Sequence, residues 1–144
     1  MSLDARLSAA LSPLAPYLLS ILRLVAGLLF LEHGMMKLIG FPAPMRIPIP
    51  LFSLLGFAGV IETFGGLLVA LGLFTRPAAF IMSGEMAFAY FLEHYPHSFF
   101  PALNSGDAAV LFCFLYLYLV FAGGGAWSVD AMLERKKRKE AAGF

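Results

Sequence analysis

Ionisable side chains recur in this chain where the surrounding sequence is as apolar as a lipid tail. The stretch RLVAGLLFLEHGMMK, residues 23–37, holds Arg23, Glu32, His33 and Lys37. GVIETFGG carries Glu62, IMSGEMAF carries Glu85, FLEHYPH carries Glu93, His94 and His97, and Asp107 follows. Three histidines beside carboxylates are the ligand types of a zinc site, and two histidines on different helices could ligate a haem. EHYPH matches no metal motif, so these are read as hydrogen-bonded interface groups, and neither metal nor haem is expected. Arg with Glu inside apolar helices has the makings of a buried ion pair, which can fix helix register or mark a site. There is no phosphate loop, nucleophile elbow or Ser-His-Asp spacing. The single cysteine, Cys113, leaves no internal disulfide, dithiol relay or Cys-based cluster within one chain.

The elements that must position these groups follow from composition. Of 144 residues, 60% are hydrophobic and 13% charged, and the mean hydropathy is +0.84. A soluble domain is typically about half apolar and a quarter charged, so the excess calls for a bilayer as solvent. A net charge of +1 gives no basic field for nucleic acid. Four spans are predicted, at about 17–38, 51–74, 77–95 and 106–122, followed by a basic tail, 128–144, in a single domain over 1–144. Lipid offers the backbone no partners and four strands cannot close a barrel, so the fold class is all-α, a four-transmembrane-helix bundle. FPAPMRIPIP, 41–50, must be a loop, and Pro77 suits a helix start. Asn104 or Ser105 is expected to cap the fourth helix. No cleavable signal is expected, because the first apolar run is a full span. Arg6, Arg76 and the tail ERKKRKE fall on one side, so both termini are expected in the cytoplasm, with the chain multi-pass in the membrane. Tyr90, Tyr95, Phe99 and Phe100 are placed in an outer aromatic belt and Trp127 at the inner interface.

Helical spacing puts Arg23, Gly27, Phe30, Gly34 and Lys37 on one stripe, Glu62 in a patch with Ala58, Gly59, Gly65 and Gly66, and Glu85 on a stripe with Ala78 and Ala89. Intramembrane charges point into the bundle and pair. Arg23 is therefore expected to meet Glu62, with Glu85 as second choice. Glu32, His33, Lys37, Glu93, His94 and Asp107 are expected to ring a polar mouth on the outer side, above an apolar slot lined by Phe30, Met86 and Phe114.

LRLVAGLLFLEHGMMKLIGF, GVIETFGGLLVALGLFTRPAAF and NSGDAAVLFCFLYLYLVFAGGGAWSVD together resemble the DoxX family of small bacterial membrane proteins. The likeness rests on Arg23, His33-Gly34 with Lys37, Glu62 with Gly65-Gly66, the Gly72…Thr75-Arg76 turn, and the glycine-rich close ending in Ser128 and Asp130. It implies a four-helix membrane protein, linked in some members to quinone-coupled oxidation of thiosulfate and in others to complexes that handle oxidative or thiol stress. Two functions follow. One is a component of a membrane redox system, a subunit of a quinone-linked oxidoreductase working with soluble redox partners. It would bind a quinone or similar lipid-soluble carrier through Arg23, His33, Lys37, Glu62 and Glu85. The other is a non-enzymatic membrane anchor or scaffold for soluble proteins, acting through the basic tail, which would also attract anionic lipid.

Overall fold

Proline and glycine punctuate the chain into helices. The computed structural model describes residues 2–143, so Met1 and the tail's Phe144 lie outside the description. It is all-helical, with no strand among the described residues. Helix α1, Leu3–Leu11, leads through a 3-10 turn, Ser12–Leu14, into α2, Ala15–Ile39. Helix α2 has proline in its first turn, where the missing N–H has no helical partner to lose, and stops at Gly40, whose φ of 70° needs no Cβ. The proline-rich stretch 41–50 is non-helical. Ser53 opens α3, Leu54–Leu71, by accepting from the Gly56 amide, and Gly72 closes it at φ 69°. Helix α4, Thr75–Ala89, continues as a π-helical turn, Tyr90–His94. A short α5, Pro101–Asn104, precedes α6, Asp107–Ala122, and the basic α7, Val129–Ala141, ends the chain.

The continuous helical stretch Leu3–Ile39 and helix Leu54–Leu71 are long and apolar enough to cross a membrane, and α6 is a shorter apolar helix. Leucine, isoleucine and phenylalanine side chains stand exposed along the outside of these helices. That is the distribution expected where lipid, rather than water, is the surrounding medium.

Helix α2 packs on α3, α4 on α6, and α3 on α4. The α2–α3 contact is made backbone to backbone. A Cβ added at Gly27 would lie 2.5 Å from the Ala70 nitrogen, and one at Gly34 would lie 2.8 Å from the Gly59 carbonyl. Glycine pairs of this kind let two helices approach within van der Waals reach of the main chain. They also fix the antiparallel register, with Gly27 level with Gly66 and Ala70, and Gly34 level with Gly59 and Thr63. Between the two helix pairs, Phe30 meets Phe112 and Tyr116 edge-on, with centroids 5.0 and 4.8 Å away, and the buried Tyr116 hydroxyl donates to the Ala26 carbonyl at 2.9 Å.

Candidate functional site

The charged residues sort into two ends of the bundle. At the end holding the α3–α4 turn, the buried Arg23 donates from Nη1 to the Val69 and Ala70 carbonyls, from Nε to Gly124 O and from Nη2 to Trp127 O. Val69 and Ala70 belong to the last turn of α3, where carbonyls run short of helical partners (Val69 O keeps the Gly72 amide at 3.0 Å) and the helix dipole is negative. A planar guanidinium offers five donors in a fixed fork, which suits carbonyls spread over two segments better than the three donors of a compact ammonium. Arg76 does the same for α6, donating to Val120 O at 2.5 Å and Phe121 O at 2.7 Å. Asp130 completes this end. Its carboxylate accepts from the amides of Phe74 and Thr75, both at 2.9 Å, and so caps the start of α4. Phe74 has φ 50°, a conformation unfavourable to a bulky side chain, and the Asp130 contact helps to hold it there.

The expected Arg23–Glu62 pair is therefore absent, and so is the alternative with Glu85. Glu62 is bonded instead to Lys37, whose Nζ lies 2.5 and 2.6 Å from the two carboxylate oxygens. The reason is direction along the helix axis. In the glycine-fixed register, Glu62 lies level with about residue 33 of α2, some ten residues or roughly 15 Å from Arg23. Helical side chains lean toward their own N-terminus. In this antiparallel pair Glu62 and Lys37 lean toward each other, while Arg23 leans away toward the start of α2.

The Lys37–Glu62 pair stands on the wall of a cavity of about 760 Å³ between the two helix pairs, at the end opposite Arg23. Phe30, His33 and Lys37 reach it from α2, Ile61 and Glu62 from α3, Glu85 and Met86 from α4, Glu93 and His94 from the π-turn, and Ala109 and Phe112 from α6. The size is within the ~300–1,000 Å³ common for small-molecule sites, and the wall is apolar with a few convergent polar groups. Both Glu85 oxygens are shielded and have no hydrogen-bond partner among the described residues. The His33 Nδ1 lies 2.8 Å from Leu29 O and the His94 Nδ1 lies 3.0 Å from Asn104 O. A carbonyl only accepts, so each Nδ1 carries a proton in these contacts. The site thus offers two imidazoles, a carboxyl without a partner among the described residues and an ion pair, all beside an apolar floor. That set can hold a polar head group and relay a proton to or from it.

Several expected members lie elsewhere. Glu32 and Asp107 are exposed and do not line the cavity, being one helical step off the faces that do. Phe114 points outward, and Phe112 takes the place assigned to it in the floor. Gly84, which the sequence reading passed over, lies on the cavity wall with no atom within 4 Å of where a Cβ would be. A glycine in mid-helix costs about 1 kcal/mol against alanine, and that was the available signal. Among the described residues, no three His, Cys, Asp or Glu side chains are grouped to hold a metal ion.

The sequence model of the DoxX family matches residues 18–95, which include Arg23, Gly27, Gly34, Lys37, Glu62 and Glu85. An uncharacterized protein of Haemophilus influenzae is 43% identical over 129 residues, covering 84% of this chain and 94% of its own. No solved structure matches.

Proposed function

The chain belongs to the DoxX family of membrane proteins, and on that premise we propose that it binds the head group of a quinone, or of a similar lipid-soluble carrier, as a component of a membrane redox system. The observation that carries this reading is the cavity itself, an apolar space of about 760 Å³ into which Lys37–Glu62, Glu85, His33 and His94 converge. A quinone head needs an apolar slot, hydrogen-bonding groups near its two carbonyl oxygens and a route for protons. A soluble redox protein would be the electron partner in this reading.

The setting we propose is a four-span bundle in the bacterial cytoplasmic membrane. Helices α2 and α3 reach the ~20 residues that a span needs, α4 approaches it with its π-turn, and α6 has 16 residues. Arg6, Arg76 and the basic residues of α7 then share the cytoplasmic side, with both termini. A second reading, anchorage of a soluble partner, draws on the exposure of Arg135, Lys136, Lys137, Arg138 and Lys139 on α7.

The test is binding of a short-chain benzoquinone to the purified protein in nanodiscs, with mass spectrometry of the molecules that co-purify. Wild type should bind, and His33→Ala and Glu85→Gln should weaken binding about tenfold each, a loss of ~1.4 kcal/mol, with the folded fraction unchanged. Absence of binding by the wild type would favour the anchoring reading.

A further inference from the structure

We propose that the cavity is entered sideways from the bilayer, between α3 and α4 beside Gly84, and that its ligand is an amphiphile with one long flexible apolar chain lying in that gap. This rests on the carrier-site reading and adds the route of entry and the chemistry of the ligand's second half. Helices α3 and α4 are held together near their shared turn, where Gly65 is so close to Met82 that an added Cβ would lie 2.8 Å from its sulfur. Away from that contact the cavity lies between them, and its wall includes Phe57 of α3 and Phe80, Ile81 and Phe88 of α4. All four are also exposed on the outer surface, so the same side chains face both the cavity and the surroundings of the bundle. That double exposure marks an opening in the wall.

Gly84 keeps the opening clear, since a Cβ there would meet nothing within 4 Å. No side-chain hydrogen bond among the described residues crosses from α3 to α4, so a chain can part them without breaking one. The histidine end is different. There His94 is bonded to Asn104 O, the Asn104 side chain donates to Ser98 O at 2.7 Å and accepts from the Gly106 amide, and the Tyr90 hydroxyl donates to Phe99 O. At that end the cavity-lining His33, Glu93 and Ser105 are exposed as well, so a route from water leads past charged and hydrogen-bonding groups. Entry from lipid passes only apolar side chains, which match a hydrocarbon or isoprenoid chain and not a polar solute.

The experiment compares two probes of one head group, a decyl-substituted benzoquinone and its tail-less parent, on the full chain in nanodiscs. Gly84→Phe fills open space and replaces a poor helix former, so the protein stays folded. It should weaken binding of the decyl probe at least about tenfold and leave the tail-less probe within roughly twofold. Gly84→Ala, too short to close the gap, should bind both as wild type does. Unchanged decyl binding in Gly84→Phe, or equal loss of both probes, would overturn the lateral route. Wild type that binds neither probe overturns the quinone reading instead, and the route is then read from the lipid retained through purification. Amphiphiles held by wild type and lost from Gly84→Phe support it; equal retention overturns it.

Discussion

Lys37 and Glu62 form a two-contact ion pair across the α2–α3 interface, with side chains only 16% and 5% exposed. The pair sits beside the cavity and next to the glycine contact that sets the register. Its two members come from helices that lean toward each other, which is why it forms in preference to a pair with the buried arginine.

Breaking this pair from one side leaves an uncompensated charge in a shielded site, which typically costs about 3–5 kcal/mol, whereas removing both partners costs far less. Lys37→Met and Glu62→Leu should each lower the melting temperature of the detergent-solubilised protein, and the double variant should recover much of the loss. Additive losses would show that the pair does not act as a unit.

Arg23 and Glu62 are held by different partners at different ends of the bundle, so their effects should be independent. Arg23→Leu strands the carbonyls of Ala70, Gly124 and Trp127, leaves Val69 O only the Gly72 amide, and should cost about 3 kcal/mol or more. Arg23→Lys should rescue little, because a point charge cannot serve that fork of acceptors. In a double-mutant cycle, Arg23→Leu and Glu62→Leu should add to within about 0.5 kcal/mol. A coupling well above that value would restore a direct Arg23–Glu62 interaction.

How this arrangement was written in the sequence differs from part to part. The apolar helices α2, α3, α4 and α6 were legible because their apolar runs are long and the proline run at 41–50 and Pro77 act locally on the residues next to them, whereas α1 and α7 were not expected and Gly106, not Asn104 or Ser105, stands at the start of α6. The inward faces of α2, α3 and α4 were legible because small and ionisable residues share a helical stripe or patch on each, which brings Lys37, Glu62 and Glu85 to one cavity; His33, expected at its mouth, joins them from beside that stripe. The partners were not. A helical wheel gives direction around an axis but neither register nor lean along it, and these two decide that Glu62 meets Lys37. Helix α6 is apolar on every side, so no pattern told Phe112 from Phe114. Asp130 as the cap of α4 joins residues more than fifty positions apart, a contact that only the tertiary fold reveals.

Glycines in similar apolar helices should respond in opposite ways. Gly34→Ala drives a Cβ into the main chain of α3 and should destabilise the α2–α3 contact by about 1–3 kcal/mol, the usual range for overpacking. Gly84→Ala meets no atom and removes a helix-weakening residue, so it should be neutral or stabilising by up to ~1 kcal/mol. Thermal unfolding in one detergent separates the two, and equal losses would mean that the cavity beside Gly84 is closed in solution.

Asp130 ties the start of α7 to the start of α4, and the geometry makes its contribution specific. Its two oxygens each take one amide of the Phe74–Thr75 step, and its own amide donates to Gly72 O at 2.9 Å. Asp130→Ala removes the cap and should cost about 0.5–2 kcal/mol. Asp130→Asn keeps one acceptor oxygen and should fall between. Because the cap also secures α7 against the bundle, the alanine variant should expose the 123–128 segment to limited proteolysis before the bundle melts. Loss of stability without earlier cleavage there would leave Asp130 a local cap only.

The membrane orientation proposed above places residue 98 outside and residue 142 inside. Single cysteines at Ser98 and Ala142, in a Cys113→Ser background, make the two sides distinguishable, since the chain then carries no other thiol. Cys113 touches Ser83, whose hydroxyl donates to the Cys113 carbonyl at 2.8 Å, and serine at 113 is smaller and can share that hydrogen-bonding environment, so the background should fold. An impermeant maleimide on intact cells should label the Ser98→Cys protein, and should label Ala142→Cys only after the membrane is opened. The physical basis is the cost of moving a strongly basic segment out of the cytoplasm, with Lys and Arg near a span end setting its side. Labelling of Ala142→Cys alone in intact cells would invert the bundle. The histidine end of the cavity would then face the cytoplasm, and any proton delivered through His33 or His94 would come from that side.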